Sequence, residues 1–322
     1  MLKNMAHLPT QLREKVSTIS EFIENKNDCI YVDYPFYFNV GDLLIFHGTL
    51  EFFKDKGINI KASYSVANSS IKKIKKKVTP ETTIFLQGGG NFGDLYPVHQ
   101  KLRESIIKHF PNNKIIMLPQ SVHFDSEEEM LKSQHIFEQH KNLILFARDE
   151  ISFQLLKKFS DHTYLMPDMA HYLYGILDKK GSSRSGEDLF FLRKDKEKIS
   201  LPNTLDLSNK LIVDWDDVLV KKDHKKYKKI QKLYKNQERL PFIPFDGYAF
   251  KKWEKCSKEL IHRACELFSK HDRIVTSRLH AHILASLLEI PSIILDNSYK
   301  KNSLYYRAWT QDIEIHKLYE ES

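Results

Sequence analysis

Arg278-Leu279-His280 places a fixed cation two residues from a titratable imidazole, directly after the β-branched run Arg273-Ile-Val-Thr276. If that run is a strand and a helix follows, the pair stands at a helix N-terminus, whose free N–H groups add to the attraction for an anion. A phosphate or carboxylate suits such a clamp; the competing reading is an arginine paired with a nearby carboxylate. Arg148 offers the same two readings, lying beside Asp149 and Glu150 after Leu143-Ile-Leu-Phe146. The run Gly88-Gly89-Gly90-Asn91 follows Thr83-Ile-Phe-Leu86 and reads as a sharp turn that admits close backbone approach to a ligand, although it completes neither G-x-G-x-x-G nor a P-loop. Asp42 reads as the cap of the helix after it, as a general base toward a hydroxyl, or as both. His280 and His282, two apart on a helix, point to different faces, and no metal site is expected. No G-x-S-x-G or H-E-x-x-H is present.

Positioning these residues requires an α/β fold, because short apolar runs alternate with polar turns and amphipathic stretches. Strands are expected at Cys29–Asp33, Thr83–Leu86, Lys114–Leu118 (stopped by Pro119), Leu143–Phe146, Asp188–Leu192, Leu211–Val213, Arg273–Thr276 and Ser292–Leu295. Helices are expected from Leu43 to about Lys56, Glu150 to about Phe159, Lys221 to Arg239, Cys256 to Lys270 and about Ala281 to Leu288. Asp42, Gly88 to Gly90, Arg148, Asp168, Arg193 and Arg278 then all follow strands, the side of an open α/β sheet where ligands bind. The organisation expected is a Rossmann-like domain over 1–178, a Gly/Ser-rich linker at 179–187, a second Rossmann-like domain over 188–298 and a C-terminal segment at 299–322.

Composition narrows the setting. The 322 residues are 41% hydrophobic and 29% charged, ordinary for a globular protein, and the formal charge of +8 favours a polyanionic partner. Three cysteines without C-x-x-C spacing point to a reducing cytoplasm. The start of the chain lacks a signal-peptide apolar region, and no uncharged run approaches the ~18–20 residues of a membrane span. Contact with a membrane is therefore expected only at its surface, and the lysine-rich Lys221–Arg239 stretch reads as a solvated helix face or as a contact for anionic lipid.

Six ordered motifs give the chain a further likeness: Asp33-Tyr-Pro-x-x-x-Asn39-Val-Gly-Asp42, Gln87-Gly-Gly-Gly-Asn-Phe-Gly-Asp-Leu-Tyr-Pro97, Leu118-Pro-Gln-Ser121, Pro167-Asp-Met-Ala-His171, Thr276-Ser-Arg-Leu-His280 and Asp296-Asn-Ser-Tyr299. Together they resemble the polysaccharide pyruvyl transferase family, and within it the members encoded with bacterial exopolysaccharide or biofilm-matrix clusters. The resemblance implies two Rossmann-like halves in a glycosyltransferase-B-like arrangement with the active site in the interdomain cleft. It also implies transfer of pyruvate from phosphoenolpyruvate to two hydroxyls of a sugar as a cyclic ketal, without metal or cofactor. Arg148, Arg278, Leu279 and Lys301, which precedes Asn302, are the donor-site residues it implies, beside the close backbone of Gly89, Gly90 and Asn91. His280 is the expected acid, and Asp42 or Asp94 the expected base. The partners implied are phosphoenolpyruvate and a sugar acceptor, free or lipid-linked, at the inner face of the plasma membrane. A nucleotide-sugar-dependent glycosyltransferase is the competing enzyme, because fold does not fix function. A nucleic-acid-binding role rests on charge alone, with no recognition motif, and no specific nucleic acid is expected.

Overall fold

The computed structural model describes residues 8–178, 186–194, 210–239, 245–296 and 300–319, apart from the side chains of 237–239 and 245–246. Most of the expected linker, Asp195 and residues 297–299 of the sixth motif lie outside them. The first part of the chain runs α1 (Leu8–Ser17), β1 (Cys29–Val32), α2 (Val40–Asp55), β2 (Ile60–Tyr64), α3 (Ile71–Lys75), β3 (Thr83–Leu86), β4 (Gly89–Gly93), α4 (Pro97–His109), β5 (Ile115–His123), α5 (Glu127–Glu138), β6 (Leu143–Ala147), α6 (Glu150–Leu156), β7 (Thr163–Leu165) and a 3-10 turn at Met169–Leu173. The second runs β8 (Asp188–Phe191), β9 (Ile212–Val213), α7 (Lys221–Arg239), α8 (Phe245–Ser269), β10 (Arg273–Thr276), α9 (Leu279–Leu287), β11 (Ser292–Ile294), α10 (Lys301–Tyr305) and β12 (His316–Leu318).

Two sheets result. One has the order β2-β1-β3-β5-β6-β7 with β4 paired to β5; the other is β12-β11-β10-β8-β9. The pairings in both are parallel. Parallel sheets are covered on both faces, which is why β1, β3 and β6 read as continuous apolar runs rather than alternating ones. Each sheet reverses its winding once, between β1 and β3 in the first and between β8 and β10 in the second. Such a switch point opens a crevice beyond the strand ends.

One apolar cluster runs from Tyr31, Phe85 and Ile116 of the first sheet, through Phe46 and Trp253, to Phe191 and Ile274 of the second. A second cluster, with Ile84, Met117 and Leu145, fills the opposite face of the first sheet, and a small one around Phe190 and Val275 lies on the far side of the second. What the described residues show of the expected pair of Rossmann-like domains is thus two parallel sheets joined by a shared core. The C-terminal stretch set apart in the sequence supplies β12, the edge strand of the second sheet.

Several boundaries differ from expectation, each for a local reason. Pro119 does not stop β5, because the β5–β6 register shifts between Met117 and Gln120 and no ladder N–H is needed there. The triple glycine is more than a turn, since Gly89 opens β4, which pairs with β5. Asp42 is not a cap: α2 begins at Val40, and the Asn39 side chain accepts the Gly41 N–H at 3.0 Å. α8 begins at Phe245, well before Cys256, while α6 ends at Leu156, before Phe159.

Candidate active site

A cavity of about 360 Å³ lies where the two switch points meet. From the first sheet come Tyr37, Asn39 and Asp42 after β1, Gly90 and Asn91 after β3, and Arg148 after β6. From the second come Arg193 after β8, Trp215 after β9, and Arg278, Leu279 and His280 after β10. Tyr96 and His99 near the start of α4, and Lys301 and Asn302 at the start of α10, complete the wall.

Arg148 is held on three sides. Its Nε donates to Ser121 Oγ at 2.9 Å, and its Nη1 donates to Asp168 Oδ2 at 2.6 Å and lies 3.5 Å from His280 Nε2. Among the described residues Nη2 has no hydrogen-bond acceptor, and it lies so near Gly90 that a Cβ there would stand 2.9 Å away. Gly90 therefore lets the guanidinium reach the cavity. The Trp309 indole N–H fixes the Arg148 carbonyl at 2.8 Å.

Asp168 is fully buried and serves both side chains, with His280 Nε2 3.4 Å from the same Oδ2. Burial alone would push its carboxyl up; the hydrogen bond and charge of His280, then the charge of Arg148 and the Ala170 N–H, outweigh that and hold it well below the usual carboxylate range. The Asp168 N–H donates to Tyr305 Oη at 3.1 Å, and Tyr305 Oη lies 2.8 Å from His171 Nε2. Burial pushes the His171 imidazole down to about 4 and the Tyr305 phenol well up, so both are neutral near pH 7. The ion-pair and ligand readings of Arg148 are compatible, because the pair occupies one face of the guanidinium and the cavity faces another.

Arg278 makes a two-point contact with Asp214, Nε to Oδ1 at 2.8 Å and Nη2 to Oδ2 at 2.6 Å. Asp214 also accepts the N–H groups of Trp215 at 2.7 Å and Lys194 at 2.9 Å. α9 begins right after Arg278 with no side-chain cap, so the N–H groups of Leu279 and His280 open the helix where both residues line the cavity. The α2 start abuts them closely: a Cβ on Gly41 would stand 2.8 Å from His280 Nδ1.

Asp42 accepts a hydrogen bond from Tyr37 Oη at 3.1 Å, and Gly89, at φ +129°, lies behind it. Burial and then the charges of Asp42 and Asp33 keep the Tyr37 phenol protonated, a constant donor to that carboxylate. Asp94 is not brought to the cavity. Its oxygens accept the N–H groups of Asp125 at 2.9 Å and Ser126 at 2.8 Å, fixing the entry to α5, so the expected alternative base is a loop anchor. Of the two neighbouring lysines, Lys301 lines the cavity, while Lys300 is exposed with φ +54°. Sequence reading passed over Tyr37, Tyr96, His99 and Trp215 as site residues; Tyr96, written out in the second motif just before Pro97, was the most readable of them, while Tyr37 falls at an unspecified position of the first.

Residues 39–299 match the model of the family described as polysaccharide pyruvyl transferase. The chain belongs to that family. Among curated proteins it is 35% identical over 316 residues to the putative pyruvyl transferase EpsO of Bacillus subtilis, covering 97% of this chain and 94% of the relative. It is 25% identical to pyruvyl transferase 1 of Schizosaccharomyces pombe, covering 86% of this chain and 68% of that protein. The crystal structure of a functionally uncharacterized Klebsiella pneumoniae protein superposes with a TM-score of 0.63 over 96% of this chain and 99% of that one, at 19% identity, so the two share a fold. As a member of this family the chain is a transferase. Among the described residues no helix is long and apolar enough to cross a membrane.

Proposed function

We propose that the protein transfers pyruvate from phosphoenolpyruvate to two hydroxyls of a sugar in an exopolysaccharide repeat unit, closing a cyclic ketal in a cleft between two Rossmann-like halves. The observation that carries this reading is the charge of the cavity: Arg148, Arg193, Arg278 and Lys301 line it, and Asp42 is the one carboxylate among the described lining residues. Phosphoenolpyruvate brings a phosphate ester and a carboxylate on one carbon, and planar guanidinium groups bind both by charge-assisted hydrogen bonds. In this reading these cations carry the charge neutralisation, and neither metal nor cofactor enters.

His280, held against Asp168, gives a proton to the donor methylene, which becomes the methyl group. A sugar hydroxyl adds to the adjacent carbon while Asp42, oriented by Tyr37, takes its proton. The carbon–oxygen bond to phosphate then breaks, the second hydroxyl closes the ring, and its proton leaves with phosphate. Atoms balance as phosphoenolpyruvate plus diol giving ketal plus inorganic phosphate.

Calorimetric titration with phosphoenolpyruvate, together with phosphate release in the presence and absence of acceptor, tests the reading. Wild type should bind the donor and release phosphate only with acceptor. Arg278→Ala should lose binding while staying folded, because Asp214 keeps its backbone partners, and His280→Ala should bind without turnover. Release of a nucleoside diphosphate from a nucleotide sugar would instead establish the glycosyltransferase.

A further inference from the structure

The densest positive charge lies outside the cavity, on α7 and α8. α7 carries eight lysines in 19 residues, and all but Lys226, which pairs with Glu259, are exposed. α8 adds Lys251, Lys252, Lys255 and Lys258, also exposed. Between the helices runs a groove of about 550 Å³. Lys229, Lys252 and Lys255 stand along it above Ile230 and Leu233, and Tyr248 beside them is 53% exposed.

We propose that this groove docks the protein on an anionic lipid surface, with headgroup phosphates at the lysines and hydrocarbon against Leu233 and Tyr248. Charge complementarity selects an anion, since Glu259, the acidic residue among the described residues lining the groove, is already paired. The apolar floor selects lipid over nucleic acid: a polyphosphate gains nothing from an aliphatic wall, whereas lysines whose stems lie along apolar surface suit the headgroup boundary.

The same two helices hold the loop after β1. Tyr227 Oη donates to the Phe36 carbonyl at 3.1 Å, and the buried Trp253 indole N–H donates to the Pro35 carbonyl at 2.7 Å. Phe36 and Phe38 pack on Tyr227 and Trp253, while Tyr37 between them lines the cavity. A docked groove thus stands one loop from the site and would bring it to an acceptor carried on lipid. Docking does not depend on the donor chemistry, and its test reads binding alone.

The test is co-sedimentation of the full chain with phosphatidylglycerol vesicles and with phosphatidylcholine vesicles over a salt series. Binding to the former alone, weakening as salt rises, is expected. Lys225→Glu/Lys229→Glu/Lys232→Glu should cost at least ~100-fold, at roughly 1 kcal/mol per lysine near the surface. Lys252→Glu/Lys255→Glu should show a smaller loss and serves if the triple variant fails to fold by circular dichroism. Tyr248→Ser should weaken binding several-fold at high salt, where charge is screened. No binding to phosphatidylglycerol, or undiminished binding by folded charge-reversal variants, would overturn the proposal. So would equal affinity for duplex DNA with the same losses, which would make the face a general polyanion binder.

Discussion

Two buried aspartates in the first part of the chain each hold an arginine and a histidine, yet they do different work. Asp33, at φ +70° after β1, accepts Arg103 Nη2 at 3.0 Å and lies 2.6 Å from His99 Nδ1. Asp168 accepts Arg148 Nη1 at 2.6 Å and lies 3.4 Å from His280 Nε2. Arg103 is completely buried, and its other hydrogen bonds go to the Asn91 carbonyl at 2.9 Å and the Asn91 side chain. It braces β4 from behind. Arg148 keeps an edge on the cavity beside Gly90. Similar chemistry therefore makes a buried brace in one place and a cavity edge in the other, and the deciding variable is whether the guanidinium keeps an edge on the cavity.

The largest effect expected from this contrast is on stability. Arg103→Met leaves Asp33 buried without its permanent cation and should cost ~3–5 kcal/mol in denaturant unfolding, with kcat of the folded fraction little changed. Loss of turnover at unchanged stability would reverse the two roles. Arg148→Lys keeps a cation near Asp168 but loses the fork that serves Ser121, Asp168 and a ligand together. Its kcat/KM should fall on the order of 100-fold with little change in melting temperature.

Acid sharpens the comparison further. His171 is held down to about 4 from an ordinary 6.5, so between those values the unfolded chain binds a proton that the fold refuses, and stability falls as pH falls. The slope from this one group reaches ~1.4 kcal/mol per pH unit, and His171→Gln should remove it in melts taken across that window. Asp168, depressed in the fold, stabilises above the ordinary carboxyl pKa, and that stabilisation is lost only as pH falls below ~4 toward its folded value. The smallest effect belongs to Asp94→Ala, which should cost ~1 kcal/mol, as loss of a helix-entry acceptor does, and leave kcat unchanged. A collapse of kcat would return Asp94 to the chemistry.

Sequence reading was strongest where local pattern and chemistry coincide. Arg273–Thr276 is β10 as expected, and Lys221–Arg239 is α7 to the residue. Arg148, Arg278, His280 and Asp42 share one cavity because each follows a strand on the ligand-binding side. Partners distant in sequence were not legible. Nothing local couples Arg278 to Asp214, 64 residues away, or Asp168 to Tyr305, 137 away, because both pairs depend on how the crossover connections place separate strands. Pro119 misled for the opposite reason: its local rule is sound, but a register shift removes the need for its missing N–H. Three-residue strands such as β12 carry too little pattern to be recognised before their neighbours are known.

The C-terminal stretch also bears on the order in which the molecule becomes competent during synthesis. Tyr305 and Trp309 secure the backbone of Asp168 and Arg148, and Lys15 of α1 lies over the Trp309 ring at 5.7 Å. A ribosome that has released only the first sheet has made Arg148 and Asp168 but neither of the two aromatic struts that steady them. A nascent or truncated chain ending before Tyr305 therefore carries the charges without the rigidity, and the cavity forms as a late event of translation.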